Sequence, residues 1–179
     1  MYLHYPYGGP DRAQDRFWFN EDGLFQYYGR KSFRRVLDRV SELKMVGSNG
    51  YRQMYIHGVE GYGKSHLISA VICHLLSVRE RILYIPDCRW LTIDPFSCLR
   101  DRFRLAFADG SYVLELLHEC SSNEDLVRLS DKLADHGVTM KVFADQANAL
   151  DVGSIELLNR IAYRHFFIRT ASANFELPV

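Results

Sequence analysis

The residues with the narrowest chemistry are Gly58-Val59-Glu60-Gly61-Tyr62-Gly63-Lys64-Ser65, which fit the pattern G-x-x-x-x-G-K-[ST] without a gap. Glycines at that spacing let the backbone curl until successive N–H groups converge on a phosphate. Lys64 then reaches the outer phosphates, and the Ser65 hydroxyl can hold a magnesium ion. Glu60, Tyr62 and His66 complete the expected cradle. The flanks agree with this reading. Met54 to His57 reads as a short buried strand, and Lys64 to about Ser77 as a helix carrying Leu67, Ile68, Val71, Ile72, Leu75 and Leu76. A phosphate would therefore sit at a helix N-terminus, where free N–H groups and the helix dipole favour an anion.

Binding phosphate is only half of a hydrolase. Met140 to Ala144 is a mostly apolar run that ends in Asp145, as a Walker B strand does. A buried strand would deliver Asp145 to the carboxyl edge of a sheet, where it can share the metal shell with Ser65. The next residue is Gln146. An amide cannot accept a proton from water, so Gln146 either orients the attacking water or marks slow turnover. Glu60 and Asp151 are spare carboxylates that could serve as a base. Asn148 reads equally as a turn or helix cap and as a catalytic group. Phe166 to Ala171 reads as a further strand running into Ser172-Ala173-Asn174. There Asn174 or Ser172 could face a γ-phosphate, or both could be turn formers.

These groups need elements to position them. Val36, Leu37, Val40 and Leu43 recur at helical spacing from Phe33 onward, with Gly47-Ser48-Asn49-Gly50 as the stop. Arg81 to Ile85 is a strand ended by Pro86. The stretch from Pro95 to Asp135 reads as helical, broken at Gly110 and at Ser121-Ser122, with Ser122 as a cap. Leu150 to Arg164 reads as a helix and His165 to Ala171 as the last strand. Alternating strands and helices predict an α/β fold, a parallel sheet between two helical layers. Residues 1–24, rich in Gly, Pro, Asp and aromatics, read as an irregular N-terminal arm on a core spanning 25–179.

Composition narrows the partners. The 22 basic and 22 acidic residues cancel, so no net field draws the chain toward nucleic acid or an anionic membrane. The arginine clusters (Arg34-Arg35, Arg100 to Arg104) are interleaved with acids or apolar residues and read as solvated helix faces. Cys73, Cys88, Cys98 and Cys120 show no zinc spacing, so free thiols in a reducing compartment are expected. No apolar run has transmembrane length, and the first residues lack a secretory signal pattern. The expectation is a soluble chain.

Gln26-Tyr27-Tyr28-Gly29-Arg30 precedes the first core helix and resembles the hhGR element that lies against adenine in AAA+ and STAND ATPases, although Lys31 and Ser32 stand where acids often follow. Tyr27 or Tyr28 would stack on the base or, alternatively, form an aromatic core contact. Together with Gly58 to Ser65, Tyr84-Ile85-Pro86-Asp87-Cys88-Arg89 and Val142 to Leu150, it makes the chain resemble the P-loop NTPase domain of Crinkler-type proteins, within the additional-strand, AAA+/STAND-like class. That resemblance spans about Tyr27 to Asn174. It implies ATP and Mg²⁺ as cofactors, with Gly58, Glu60, Gly61, Tyr62, Gly63, Lys64, Ser65, His66, Tyr28, Gly29 and Arg30 around the nucleotide. It also implies Ser65 and Asp145 on the metal, and Gln146 and Asn174 as catalytic groups. It implies a strand order 5-1-4-3-2, of which a fifth strand and a helical lid are not found here, so a fragment is expected. Many members of that family act as effectors inside a host cell. The partners implied are a nucleoside triphosphate and a protein partner or second copy, not nucleic acid or membrane.

Overall fold

The computed structural model describes residues 1–7, 17–43 and 52–172. In chain order the elements are β1 (Tyr2–His4), β2 (Leu24–Gln26), α1 (Lys31–Glu42), β3 (Arg52–Gly58), α2 (Lys64–Ser77), β4 (Ile82–Ile85) and α3 (Arg89–Ile93). They continue with α4 (Pro95–Ala106), α5 (Ser111–Glu119), α6 (Asn123–Asp135), β5 (Lys141–Ala144), α7 (Val152–Ile161) and β6 (Phe166–Ser172). The stop at Gly47 to Gly50 lies outside the described residues, as does Asn174.

Strands β3 to β6 form one four-stranded sheet in the order β3-β6-β5-β4, and each neighbouring pair is parallel. All residues of β4 and of β5 are buried, as expected where helices cover both faces. Side chains alternate across the sheet and divide the core in two. Ile82, Tyr84, Phe143 and Ile168 pack with α1, α2 and the N-terminal segment. Leu83, Ile85, Val142, Ala144 and Phe167 pack with α3 to α7. The result is a three-layer parallel α/β fold of the P-loop NTPase kind. In the expected scheme the described strands run 1-4-3-2, and β3 is an edge strand among the described residues.

Local chemistry sets the helix starts. Asp94 accepts a hydrogen bond from the Ser97 N–H with Pro95 at the first helical position, and Ser122 and Asp151 accept from the N–H of Asp125 and Ser154. The breaks at Gly110 and Ser121-Ser122 separate α4, α5 and α6. Two details differ from the sequence reading. A short helix, α3, occupies Arg89–Ile93, and α7 spans Val152–Ile161 within the expected 150–164, its start delayed because Asp151 is extended as its cap.

The described residues of the N-terminal segment include regular structure. β1 pairs antiparallel with β2, and Tyr5, Phe17 and Phe25 are buried together edge-to-face. Burying such a ring stabilises by about 1.5–3 kcal/mol, enough to organise a segment that has little regular hydrogen bonding. Tyr7 donates its hydroxyl to the Ile82 carbonyl at 2.8 Å, and the Cys73 thiol donates to the His4 carbonyl at 3.1 Å. Among the described residues no helix is long and apolar enough to cross a membrane.

Candidate functional site

A cleft of about 820 Å³ opens at the carboxyl ends of the strands, the position where parallel α/β sheets bind ligands. The loop from Gly58 to Gly63 forms one wall. Gly61 and Gly63 have φ of +76° and +75°, a region that L side chains enter only with strain. A Cβ at Gly63 would also meet the Arg30 guanidinium at 2.7 Å, so that side chain would have to move. Lys64 folds back over the loop, donating from Nζ to the carbonyls of Gly58 at 2.8 Å and Val59 at 2.9 Å. That leaves its ammonium over the loop mouth. Ser65 is buried in the first turn of α2.

Arg30 does not stand apart from this loop. Its guanidinium donates to the Tyr62 carbonyl and lies 5.6 Å from the centre of the Tyr62 ring. The Gly29-Arg30 element therefore braces the phosphate loop directly. Tyr28 is exposed and donates to Gln26 Oε1 at 2.8 Å, while the Tyr27 ring is buried against Phe33. His66 stacks on Phe17 with ring centres 4.2 Å apart, which ties the N-terminal segment to the first turn of α2. Gln26, Tyr27, Tyr28 and His66 all line the cleft, as do Glu60 and Asn148.

The opposite wall is acidic and buried. Asp145 follows β5 and is 2% exposed. Its Oδ1 accepts from the Thr170 hydroxyl and from the Gln146 N–H at 2.9 Å. Its Oδ2 is buried and has no hydrogen-bond partner among the described residues, and the same holds for the Gln146 side-chain Nε2. Gln146 has φ +61°, costly for a residue with a Cβ. Beyond β4, Arg89 contributes a guanidinium to the cleft while holding Asp87 through Nε at 3.0 Å and a second nitrogen at 2.5 Å.

Of the expected site residues, Glu60, Gly61, Gly63, Lys64, Ser65, His66, Tyr28, Arg30, Asp145 and Gln146 thus line one cleft. Gly58 ends β3 beneath the loop, Gly29 joins Tyr28 to Arg30, and the Tyr62 carbonyl is the contact for Arg30. Asp151 sits elsewhere: it caps α7, accepting from the Ser154 N–H at 2.7 Å, and that bond holds its carboxyl below the usual range. Ser172 closes β6. Thr170 and Arg89 were not anticipated. A threonine inside Phe166 to Ala171 reads as an ordinary β-branched strand residue, and only the pairing of β5 with β6 brings it to Asp145.

The donor set fits Mg²⁺. A buried carboxylate with one oxygen saturated and one unpaired, in a cleft shared with a helix-start serine, matches a cation that takes one or two protein oxygens and completes its shell from phosphate and water. Among the described residues no group of three or more His, Cys, Asp or Glu gathers as a metal site. A second groove of about 830 Å³ between α1 and the β3 edge reaches Lys64, but neither Ser65 nor Asp145 lines it.

No protein-family model matches the sequence, and no curated protein matches it either. Solved structures do share its fold. The ORC2 protein of Aeropyrum pernix, solved as ADPNP–ADP complexes, superposes with a TM-score of 0.52 at 13% identity over 88% of this chain and 44% of its own. Cdc6p of Pyrobaculum aerophilum superposes with a TM-score of 0.51 at 13% identity over 97% of this chain and 44% of its own. The chain thus spans less than half the length of either neighbour. At this identity the likeness is one of fold alone.

Proposed function

We propose that this chain is the nucleotide-binding core of an AAA+-like P-loop NTPase of the Crinkler kind, binding ATP with Mg²⁺ and hydrolysing it. The observation that carries this reading is the cleft itself. It sets a glycine-turned loop with Lys64 and Ser65 opposite a buried carboxylate, Asp145, that has one oxygen unpaired among the described residues. In this reading loop N–H groups and Lys64 take the phosphates, and Ser65 and Asp145 hold the metal. The metal, when bound, neutralises charge on the transferred phosphoryl group. Gln146 orients water, with Asn174 as a second polar contact. Tyr28, Gly29 and Arg30 approach the base side, and a protein partner or second copy is the expected macromolecular contact. The nucleotides in the Aeropyrum pernix ORC2 structure support the ligand class. The test is binding of labelled ATP to the wild type and to Lys64→Ala: affinity falling at least tenfold supports the site, and equal affinity removes it.

A second reading, a nucleotide-dependent switch with little hydrolysis, is favoured by Gln146, which cannot act as a base and whose backbone is held in a left-handed conformation. Single-turnover phosphate release separates the two. Release that Asp145→Asn abolishes rejects the switch, and tight binding without release supports it.

A further inference from the structure

We infer that Thr170 is a positioning residue of this site: it fixes the Asp145 carboxylate so that Oδ2, and not Oδ1, is the oxygen offered to a cation. The inference rests on the reading that the cleft takes a metal-bound nucleotide.

A terminal carboxylate turns easily about its last bond, because that torsion is broad and nearly two-fold. Left to itself, Asp145 would present either oxygen in either direction. The sheet removes that freedom. Parallel pairing sets Ala144 beside Arg169, so the next residues, Asp145 and Thr170, come side by side at the strand ends. Thr170 is 1% exposed and donates its hydroxyl to Asp145 Oδ1. The Gln146 N–H reaches the same Oδ1 at 2.9 Å and Thr170 Oγ1 at 3.2 Å. Two donors thus close around one oxygen and none, among the described residues, around the other.

Two features argue that the asymmetry matters. Gln146 takes a strained φ of +61° to aim its N–H backward, a conformation that persists only where surrounding structure enforces it. A buried charged oxygen without a partner is also expensive, and folding has concentrated both donors on Oδ1 instead of sharing them. Threonine suits the task because its branched Cβ leaves few side-chain rotamers in a strand.

The experiment measures ATP affinity in excess Mg²⁺ and in EDTA for the wild type, Thr170→Val and Thr170→Ser, with thermal unfolding followed alongside. Thr170→Val, which keeps the shape and removes the hydroxyl, is expected to lose about tenfold of the Mg²⁺-dependent gain in affinity, as for one hydrogen bond to a charged group. Affinity in EDTA stays unchanged, and Thr170→Ser retains the gain. In an Asp145→Asn background, Thr170→Val changes nothing further. A Thr170→Val protein that keeps the full Mg²⁺ gain overturns the inference, as does one that loses affinity equally in both conditions. If Thr170→Val does not fold, Thr170→Cys takes its place, with the same loss expected and the same two outcomes decisive. Failure of the underlying reading is recognised separately: the wild type would then bind no better than Lys64→Ala, before any Thr170 variant is compared.

Discussion

Asp87 and Asp145 sit at the ends of neighbouring strands, 4% and 2% exposed, and the turns that carry them are joined by the Cys88 N–H donating to the Asp145 carbonyl at 3.2 Å. Yet they are treated in opposite ways. Asp87 receives the backbone N–H of Arg89 at 3.0 Å and its guanidinium on both oxygens. Asp145 receives two donors on one oxygen, none on the other, and forms no ion pair among the described residues. A buried carboxylate that stabilises a fold is saturated from within, since unpaired charge in the interior costs several kcal/mol. Asp145 is left incomplete at one oxygen, as a group kept for a ligand would be.

The sharpest way to break this contrast is to neutralise each acid in turn. Asp145→Asn is expected to lower single-turnover hydrolysis by two to three orders of magnitude, about 3–4 kcal/mol of barrier. It should leave the melting temperature level or slightly raised. Phosphate release near wild type would place Asp145 with the structural acids.

A third buried polar group extends the comparison to one completed without any outside partner. His165 accepts from the Met140 N–H at Nδ1, 3.3 Å, and meets Ser130 Oγ at Nε2, 3.0 Å, while Ser130 donates to the Ile161 carbonyl at 2.7 Å. This chain satisfies the neutral ring, and burial, with the charge of Arg164, holds its pKa down to about 4 from 6.5. The unfolded chain therefore binds a proton that the native state refuses between those values. Stability is full above pH 6.5, falls as pH drops toward about 4, and levels off below. The loss reaches up to about 3 kcal/mol by linkage. Urea unfolding of wild type and His165→Gln across that window checks it, and parallel curves would remove His165 as the source.

Asp87→Asn is expected to give the reverse of Asp145→Asn. It should cost about 1–3 kcal/mol of stability, because a buried Asn amide now faces Arg89. The ratio of ATP affinities with and without Mg²⁺ should stay within about twofold. A lost metal dependence would move Asp87 into the site. The smallest effect is at Gln146→Gly, where relief of the positive φ is expected to leave stability unchanged or raised by about 0.5–1 kcal/mol while hydrolysis falls. Chemical denaturation and phosphate release on the same samples read both.

The parts that could be read from the sequence are those whose chemistry is local. The Gly58 to Ser65 spacing, the apolar runs that became β3 to β6, and the cap at Ser122 are set by neighbours in the chain. Asp145 was legible because an apolar strand ending in an acid has few other uses beside a phosphate loop. Asp151 looked much the same as a lone carboxylate, and only its bond to the Ser154 N–H gives it the role of a helix cap. Thr170, Arg30 over Tyr62, and the ribbon of β1 and β2 depend on contacts between distant segments. A hydroxyl-bearing β-branched residue in a strand, or aromatics in a Gly- and Pro-rich stretch, carry no sign of which partner they will meet.

The edge position of β3 has a consequence in time as well as in space. Its strand neighbour among the described residues is β6, so Arg52 must wait for Phe166 before it has a sheet to join. Closing so long a loop is slow relative to the local pairings of β4, β5 and β6 around their connecting helices. During synthesis the phosphate loop would leave the ribosome well before the strand that pairs with β3. A nucleotide held there therefore depends on a pairing between segments far apart in the chain.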